Sequence, residues 1–554
     1  MKNQTSLLVA VIAAIWLQAE VQAQAQPVVP ASALPGELPK TVQNQVTLDT
    51  SLSSEIKPMP VLTAMQRVAD WQLGHPSAHK TTDWTQGAGY AGMMALAGIS
   101  SDTKYRDAML AMGETNQWSP GPRKFHADDY CVGQTYTELY LLYRQPKMIA
   151  PLKERFDDIL SNPTTITDLN FKQPKGVATE NWSWCDALFM GPPTWVRLYA
   201  ATHDDRYLTF AVTNWWRTTD FLYDKDEHLF FRDSTFIGKT EANGKKVFWG
   251  RGNGWVMGGL VRVLQYLPAN HPDRSRFEQL FKDMADKILT CQQPDGLWRA
   301  SLLDPDSYPL KETSGSGFFT YALAWGVNQG LLNRPKFEPA VQKAWAALVG
   351  CVDADGKLTH VQPVGADPKK FPEDATEVYG TGAFLLAGSE IYRMAVFESA
   401  MATPVTISNP ADFARESETV ELNLSGKPAV MDSLSSRIID SQSYQLPEGG
   451  DKFVFQVDLD PGETRTFYVL DASALAAVPQ PIVKTMARFV PERYDDFAWE
   501  SDRIAHRTYG LALIKAENTI SSGPDVWIKK DHRLIVDVMY ATKHYHEDNG
   551  EFMD

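Results

Sequence analysis

Six small-residue steps recur along the first 400 or so residues of this 554-residue chain: GAGY at Gly89, CVGQ at Gly133, FMGP at Gly191, GNGW at Gly254, GSGF at Gly317 and GTGA at Gly382. The intervals between those glycines are 44, 58, 63, 63 and 65 residues. Each interval holds one helical hairpin and a loop of variable length. LYAATHDDRYLTFAVTNWWRTTDFLYD reads as helix, polar turn at His203 to Asp205, then helix, with Tyr207, Phe210, Ala211, Trp215 and Phe221 on the apolar face. MMALAGISSDTKYRDAMLAMG and YTELYLLYRQPKMIAPLKERFDDIL have the same form. Six such hairpins predict an all-α closed ring, an (α/α)6 barrel over residues 57–400, with an open helical solenoid as the alternative. Long loops ahead of each step carry unusual residues and favour closure around one shared site.

The flanks have a different texture. Lys2, the apolar run Leu7 to Leu17 and Ala23-Gln24-Ala25 form a secretory signal over residues 1–25, so the mature chain is expected to be secreted or periplasmic. Residues 26–56 are rich in Pro, Ser, Thr and Gln and read as a linker. After residue 402, TPVTISNP, SETVELNL, KFVFQVDLD and TRTFYVLD alternate polar and apolar residues. They predict a small β-sandwich at 403–475. A further β-rich module begins near 484 and stops at 554, as a truncated module would.

The net charge of −15 and the lack of a basic run argue against nucleic acid or an anionic membrane as partner. Cys131, Cys185, Cys291 and Cys351 are far apart, without paired spacing, and read as buried thiols rather than metal ligands. No phosphate-loop, dinucleotide or metalloprotease motif occurs in a fitting context, so neither metal nor cofactor is expected.

Chemistry concentrates at three places. In NWSWCDALFMGPP, Asp186 stands among Trp182, Trp184, Phe189 and Met190. Apolar neighbours disfavour the ionised carboxylate and raise its pKa, which suits a general acid; Asp is equally a preferred helix cap. In HADDYCVGQ, Asp128 and Asp129 open the preceding hairpin, 57 or 58 residues earlier. Paired carboxylates across a pocket cleave glycosidic bonds, and here too a cap is the alternative. In FWGRGNGW, Trp249 and Trp255 offer faces to sugar rings, and Arg251 can hold a carboxylate through two parallel hydrogen bonds or stack on a tryptophan. Arg232 in FFRDS marks a binding loop or a strand end, and Trp298 in PDGLWRAS lines a cleft or caps the barrel edge.

Taken together, WCDALFMGPP, WGRGNGW, DDYCVGQ, LYAATHDDRYL and GTGAFLLAGSEIY resemble glycoside hydrolase family 105, the unsaturated rhamnogalacturonyl hydrolases and their relatives, over roughly residues 57–397. The segment from 484 resembles the start of an uncharacterised domain fused to such enzymes. The resemblance implies an oligosaccharide substrate ending in a 4,5-unsaturated uronic acid. Asp186 matches the family's catalytic aspartate, which protonates C4; water adds at C5, and the hemiketal opens and releases the sugar. Asp128 or Asp129 matches the second aspartate, and Trp184, Trp249, Arg251 and Trp255 match subsite residues. The chain departs from the family at Arg232, where a histidine is usual, and an arginine there favours a sulfated neighbouring sugar, as in ulvan fragments. Two other readings stay open: an inverting glycosidase using Asp186 and Asp129, and a carbohydrate-binding protein without turnover.

Overall fold

The structure is a computed structural model that describes residues 52–172, 177–399, 402–517, 523–530 and 532–542. The expected signal segment and most of the linker lie outside the described residues. Thirteen helices come first: α1 (Pro58–Gly74), α2 (Trp84–Ala97), α3 (Lys104–Thr115), α4 (Gly133–Tyr143), α5 (Ala150–Ser161), the one-turn α6 (Ala187–Met190), α7 (Pro192–Thr202), α8 (Asp205–Leu222), α9 (Gly250–Leu264), α10 (Arg274–Thr290), α11 (Thr313–Asn328), α12 (Arg334–Val349) and α13 (Val378–Ser399). Helices α2, α4, α7, α9, α11 and α13 pack each on the next, and α13 returns to pack on α2. The ring is therefore closed. The outer helices are one-sided. In α10, for example, Phe277, Leu280, Phe281, Met284 and Ile288 are buried at helical spacing. In the inner helices α9 and α11 every residue is buried.

The recurrent glycines are where the inner backbones touch. A Cβ on Gly382 would lie 2.2 Å from the Ala88 carbonyl oxygen, and one on Gly92 would lie 2.6 Å from the Gly382 carbonyl oxygen. Helices α2 and α13 thus meet backbone to backbone, which a side chain would prevent. The hairpin turn at His203 is left-handed, with φ 55°, and Asp204 caps α8 by accepting from the Arg206 N–H at 3.1 Å.

Between α8 and α9 lies a two-residue ribbon, β1 (Tyr223–Asp224) against β2 (Leu229–Phe230). After the barrel come β3 (Thr403–Ser408), β4 (Arg415–Leu422), β5 (Pro428–Asp432), β6 (Ile438–Ile439), β7 (Ser441–Gln445), β8 (Asp451–Leu459) and β9 (Thr464–Asp471). They form two antiparallel sheets, ordered β3-β9-β5-β6 and β4-β8-β7, around a core that includes Val430, Phe453, Phe455 and Phe467. A separate meander, β10 (Met486–Val490), β11 (Asp496–Glu500), β12 (Ile504–Thr508) and β13 (Asp525–Ile528), follows with its own small core. The turn between β5 and β6, residues 433–437, is inserted against the end of the barrel opposite α6. Gln329 donates to the Ser433 carbonyl, Ser436 Oγ donates to Glu390 at 2.7 Å, and the Ile438 N–H donates to the Gly98 carbonyl at 3.1 Å. Among the described residues, no helix is long and apolar enough to cross a membrane.

Candidate active site

The short helix α6 places Asp186 at its first boundary. The side chain makes no capping bond with α6, so the helix-cap reading of this aspartate is not what the structure contains. The backbone before it is fixed to the loop after β2: the Cys185 N–H donates to the Arg232 carbonyl at 2.8 Å, and Trp184 pairs with Asp233 in an isolated antiparallel bridge. Asn253 holds that loop against α9. Its Oδ1 accepts from the Phe230 N–H at 2.8 Å, and its Nδ2 donates to the Phe230 and Trp249 carbonyls at 3.1 Å.

Asp186 is buried. Burial holds its carboxyl above the ordinary carboxylate range, against the opposing charges of Arg232 and Arg251. Arg232 Nε lies 3.6 Å from Asp186 Oδ2, and its Nη1 donates to Asp233 Oδ2 at 2.6 Å. The Arg232 guanidinium stacks over Phe171 at 4.7 Å, and its Nε has no hydrogen-bond partner among the described residues. The Cys185 thiol, 3.6 Å from Asp186 Oδ2, donates to it.

Asp128 completes the pair. It keeps 17% of its side-chain surface in the cleft, yet its carboxyl is pushed up to about 8, first by burial and then by the negative charges of Asp186, Asp129 and Asp83, with Arg123 opposing. The negative charge of Asp186 thus favours the protonated form of Asp128, while burial does the same for Asp186 itself. His126 stands beside them. Its Nδ1 accepts from the Asp128 N–H at 3.3 Å, which assigns the proton to Nε2. Burial, and then Arg123, lower its pKa to about 4, so the ring is neutral above that pH. It leans on Trp184 at 5.0 Å.

The neighbouring Asp129 does something else. Arg123 donates to its Oδ1 from Nε at 3.0 Å and from Nη2 at 2.5 Å, and the Arg123 backbone N–H donates to its Oδ2 at 2.5 Å. Those bonds fasten the loop that Gly121 begins, where a Cβ would lie 2.5 Å from the Asp129 carboxyl carbon. Asp129, expected as an acid or base, is committed to holding backbone, and this removes the geometric basis for an inverting pair of Asp186 and Asp129.

The arginine and tryptophans of FWGRGNGW also differ from expectation. Arg251 donates from Nη1 to the Gln362 carbonyl and from Nη2 to the Pro363 carbonyl at 2.9 Å, so both terminal nitrogens already carry a protein bond. The guanidinium is clamped between Trp249 at 4.6 Å and Tyr379 at 4.9 Å. Trp249 Nε1 donates to Gln362 Oε1 at 2.8 Å. Trp249 and Trp255 are 2% and 1% exposed, so they form walls rather than open platforms. Trp298 belongs to the core: it is buried, its Nε1 donates to the Ile288 carbonyl at 2.8 Å, and its ring packs on Phe319. It offers no face to a sugar.

Sequence reasoning passed over Trp84, the first residue of α2. It is half-buried, stacks on Tyr379 at 5.3 Å and meets Trp255 edge-on at 5.8 Å, so it keeps an open face at the barrel mouth. It also passed over His126, Phe171 and Tyr379. Trp84 sits three residues before the first glycine-rich step, GAGY, a position that could have marked it. All four cysteines are free and buried. Among the described residues, no cluster of three His, Cys, Asp or Glu could hold a metal.

Comparison with known proteins bears on this geometry. Unsaturated 3S-rhamnoglycuronyl hydrolase of Formosa agariphila is 43% identical over 340 residues, spanning 60% of this chain and 90% of that one. Two solved structures, each 31% identical and covering 61% of this chain, have the same fold. One is described as glycosyl hydrolase family 88 from Bacteroides vulgatus, with a TM-score of 0.54 and 99% of its chain covered. The other is described as polysaccharide lyase BACCELL_00875, with a TM-score of 0.55 and 98% covered. Residues 407–554 match a domain of unknown function, DUF4861, in a single stretch that spans both β regions. Residues 61–395 match the family model for Glycosyl Hydrolase Family 88, and the chain belongs to that family.

Proposed function

We propose that the protein hydrolyses oligosaccharides whose non-reducing end is a 4,5-unsaturated uronic acid, with Asp186 as general acid and base. The observation that carries this reading is that two carboxyls, Asp186 and the half-buried Asp128, are both held above the ordinary carboxylate range beside the neutral His126. Asp186 transfers its proton to C4 of the enol ether, and positive charge develops at C5 and the ring oxygen. The same carboxylate then takes a proton from the water that adds at C5. The resulting hemiketal opens to a ketone at C5, and the hemiacetal left at C1 expels the next sugar as an alcohol. Asp128, whose proton Asp186 helps to retain, holds the ring. Trp84 offers its face to the flat unsaturated ring, and Trp184, buried against His126 and Phe171, forms a wall beside it.

Arg232 suits a sulfated neighbour because its guanidinium brings a cation to the cleft beside Asp186. The 3S-rhamnoglycuronyl in the name of the Formosa relative favours a rhamnose-linked uronic acid, as in ulvan or rhamnogalacturonan fragments. The apolar segment Leu7 to Leu17 fits export. An absorbance assay on lyase digests of ulvan, rhamnogalacturonan and glycosaminoglycans tests the reading. A hydrolase of this kind consumes the ultraviolet band of the unsaturated uronyl group. A lyase would create that band, an ordinary glycosidase would leave it, and a binding protein would release no product.

A further inference from the structure

The barrel axis contains charged side chains that the chemistry above does not use. Starting at the β5–β6 turn, the Leu434 carbonyl accepts from Gln265 Nε2 at 3.2 Å, and Gln265 Oε1 accepts from Arg197 Nη2 at 3.3 Å. Arg197 Nε donates to Glu138 Oε1 at 2.8 Å, and the same oxygen accepts from Arg262 Nη2 at 2.7 Å. Arg262 Nε donates to Gln134 Oε1 at 2.5 Å, and Gln134 Nε2 donates to the Phe189 carbonyl at 2.8 Å. Phe189 is in α6, where its own N–H donates to the Asp186 carbonyl at 3.0 Å. The chain of bonds is unbroken from the β region to the helix that carries Asp186.

Its members are deep. Gln134 has no exposed surface, Arg197 is 1% and Arg262 3% exposed. Glu138 is held below the usual carboxylate range because Arg262, Arg197 and Arg437 outweigh its burial. Removing one member of such a network leaves its partners unsatisfied in a low-dielectric interior. Helix α6 is a single turn, too short to hold its position by its own backbone bonds. It packs against α7, α9 and the turn at residues 127–130, its entry is tied to the loop after β2, and Gln134 adds a side-chain bond to the carbonyl of Phe189.

We infer that Gln134 and Arg262 are positioning residues for Asp186, and that the β5–β6 turn of the C-terminal region anchors this network at the far end of the barrel. The inference rests on Asp186 being the proton donor. A displaced α6 would misplace that carboxyl relative to Asp128 while leaving Trp84, on α2, in place. The network therefore acts on turnover rather than on binding.

The test uses the full chain with a lyase-generated oligosaccharide. Gln134→Glu keeps the size and the Arg262 contact but cannot donate to the Phe189 carbonyl. Gln265→Leu cuts the link to Leu434 at the other end. The expected result is a fall in kcat of tenfold or more for Gln134→Glu and about threefold for Gln265→Leu. KM should stay within twofold, and the alkaline limb of the pH–rate profile should shift. Gln134→Ala, if Gln134→Glu folds poorly, is read the same way per folded molecule. Unchanged kcat in the folded fraction of these variants, or a change confined to KM or melting temperature, overturns the inference. Asp186→Asn is run alongside. If it retains activity, the assignment of the proton donor fails; if it is inactive while the Gln134 variants turn over normally, only the positioning role fails.

Discussion

Arg232 Nε stands 3.6 Å from Asp186 Oδ2 while its Nη1 is tied to Asp233 Oδ2 at 2.6 Å. The cation is thus held beside the Asp186 carboxyl at longer range than its bond to Asp233. That placement lowers the proton affinity of Asp186 against the opposite effect of burial. Replacing it with an apolar chain, Arg232→Met, removes the opposing charge. The alkaline limb of the pH–rate profile should move upward, and kcat/KM at pH 7 should fall roughly tenfold or more, as the loss of one charged contact does. Arg232→His should reduce the preference for sulfated over unsulfated oligosaccharides; equal selectivity in competition assays would exclude the sulfate contact.

Asp128, with its carboxyl pushed up to about 8, binds its proton more tightly in the folded chain than in the unfolded one. Its contribution to stability is complete below the usual carboxylate range and is lost as pH rises from about 4 to about 8. Asp128→Asn should therefore melt about 2 °C or more above the parent at pH 8.5, with a difference that shrinks toward pH 4. The same variant should lose most of its turnover. Calorimetry and the absorbance assay at matched pH values check both halves.

His126 shifts the other way. Its pKa of about 4 lies below the ordinary value, so the unfolded chain binds a proton there that the folded one does not. Stability from this group is present above about 6.5 and is lost as pH falls toward 4. A His126→Gln variant should flatten the acid side of the melting curve between those values, and an unchanged slope would exclude the assignment.

Asp129 accepts three bonds from Arg123 and is 7% exposed on its side chain. Asp129→Ala leaves the Arg123 amide and guanidinium without that partner and should cost about 1–3 kcal/mol of stability. Denaturant unfolding reads the loss. If Asp129 were an acid or base, turnover per folded molecule would fall by orders of magnitude instead.

Gly382→Ala would put a Cβ 2.2 Å from the Ala88 carbonyl oxygen, 2.7 Å from its carbon and 2.9 Å from the Gly89 Cα. All three are backbone, which cannot swing aside as a side chain can. The cost should exceed about 2 kcal/mol, visible as a lowered denaturant midpoint.

The ring itself was legible because spacing carries it: six glycine steps at regular intervals correspond to six inner helices, and the turn at His203 to Asp205 is where the chain reverses. Asp186 was legible because an ionisable residue among tryptophans is conspicuous. The choice between Asp128 and Asp129 was not. Adjacent residues in a 3-10 turn point in different directions, and only the path of the loop from Gly121 decides which one faces Asp186. Nor could sequence tell a loop tryptophan on a cleft from one in the core: Trp298 turns inward, where its Nε1 donates to the Ile288 carbonyl ten residues earlier and its ring packs on Phe319. Arg251 was expected to grip a ligand and instead grips the backbone at 362 and 363, a partner more than a hundred residues away. Long-range pairing of this kind leaves no local pattern, and the axial chain from Leu434 to Phe189 is hidden for the same reason.

Cys185, one residue before Asp186, is fully buried, and burial pushes its thiol well above the usual range. Its sulfur sits against α9, where a Cβ on Gly252 would lie 3.1 Å away, so a water-borne reagent reaches it only when this packing opens. The rate at which Cys185 becomes labelled is thus a clock on opening beside Asp186, the proposed proton donor. Slowing of that clock by bound oligosaccharide would report, without any introduced probe, how much the sugar steadies the floor of the cleft.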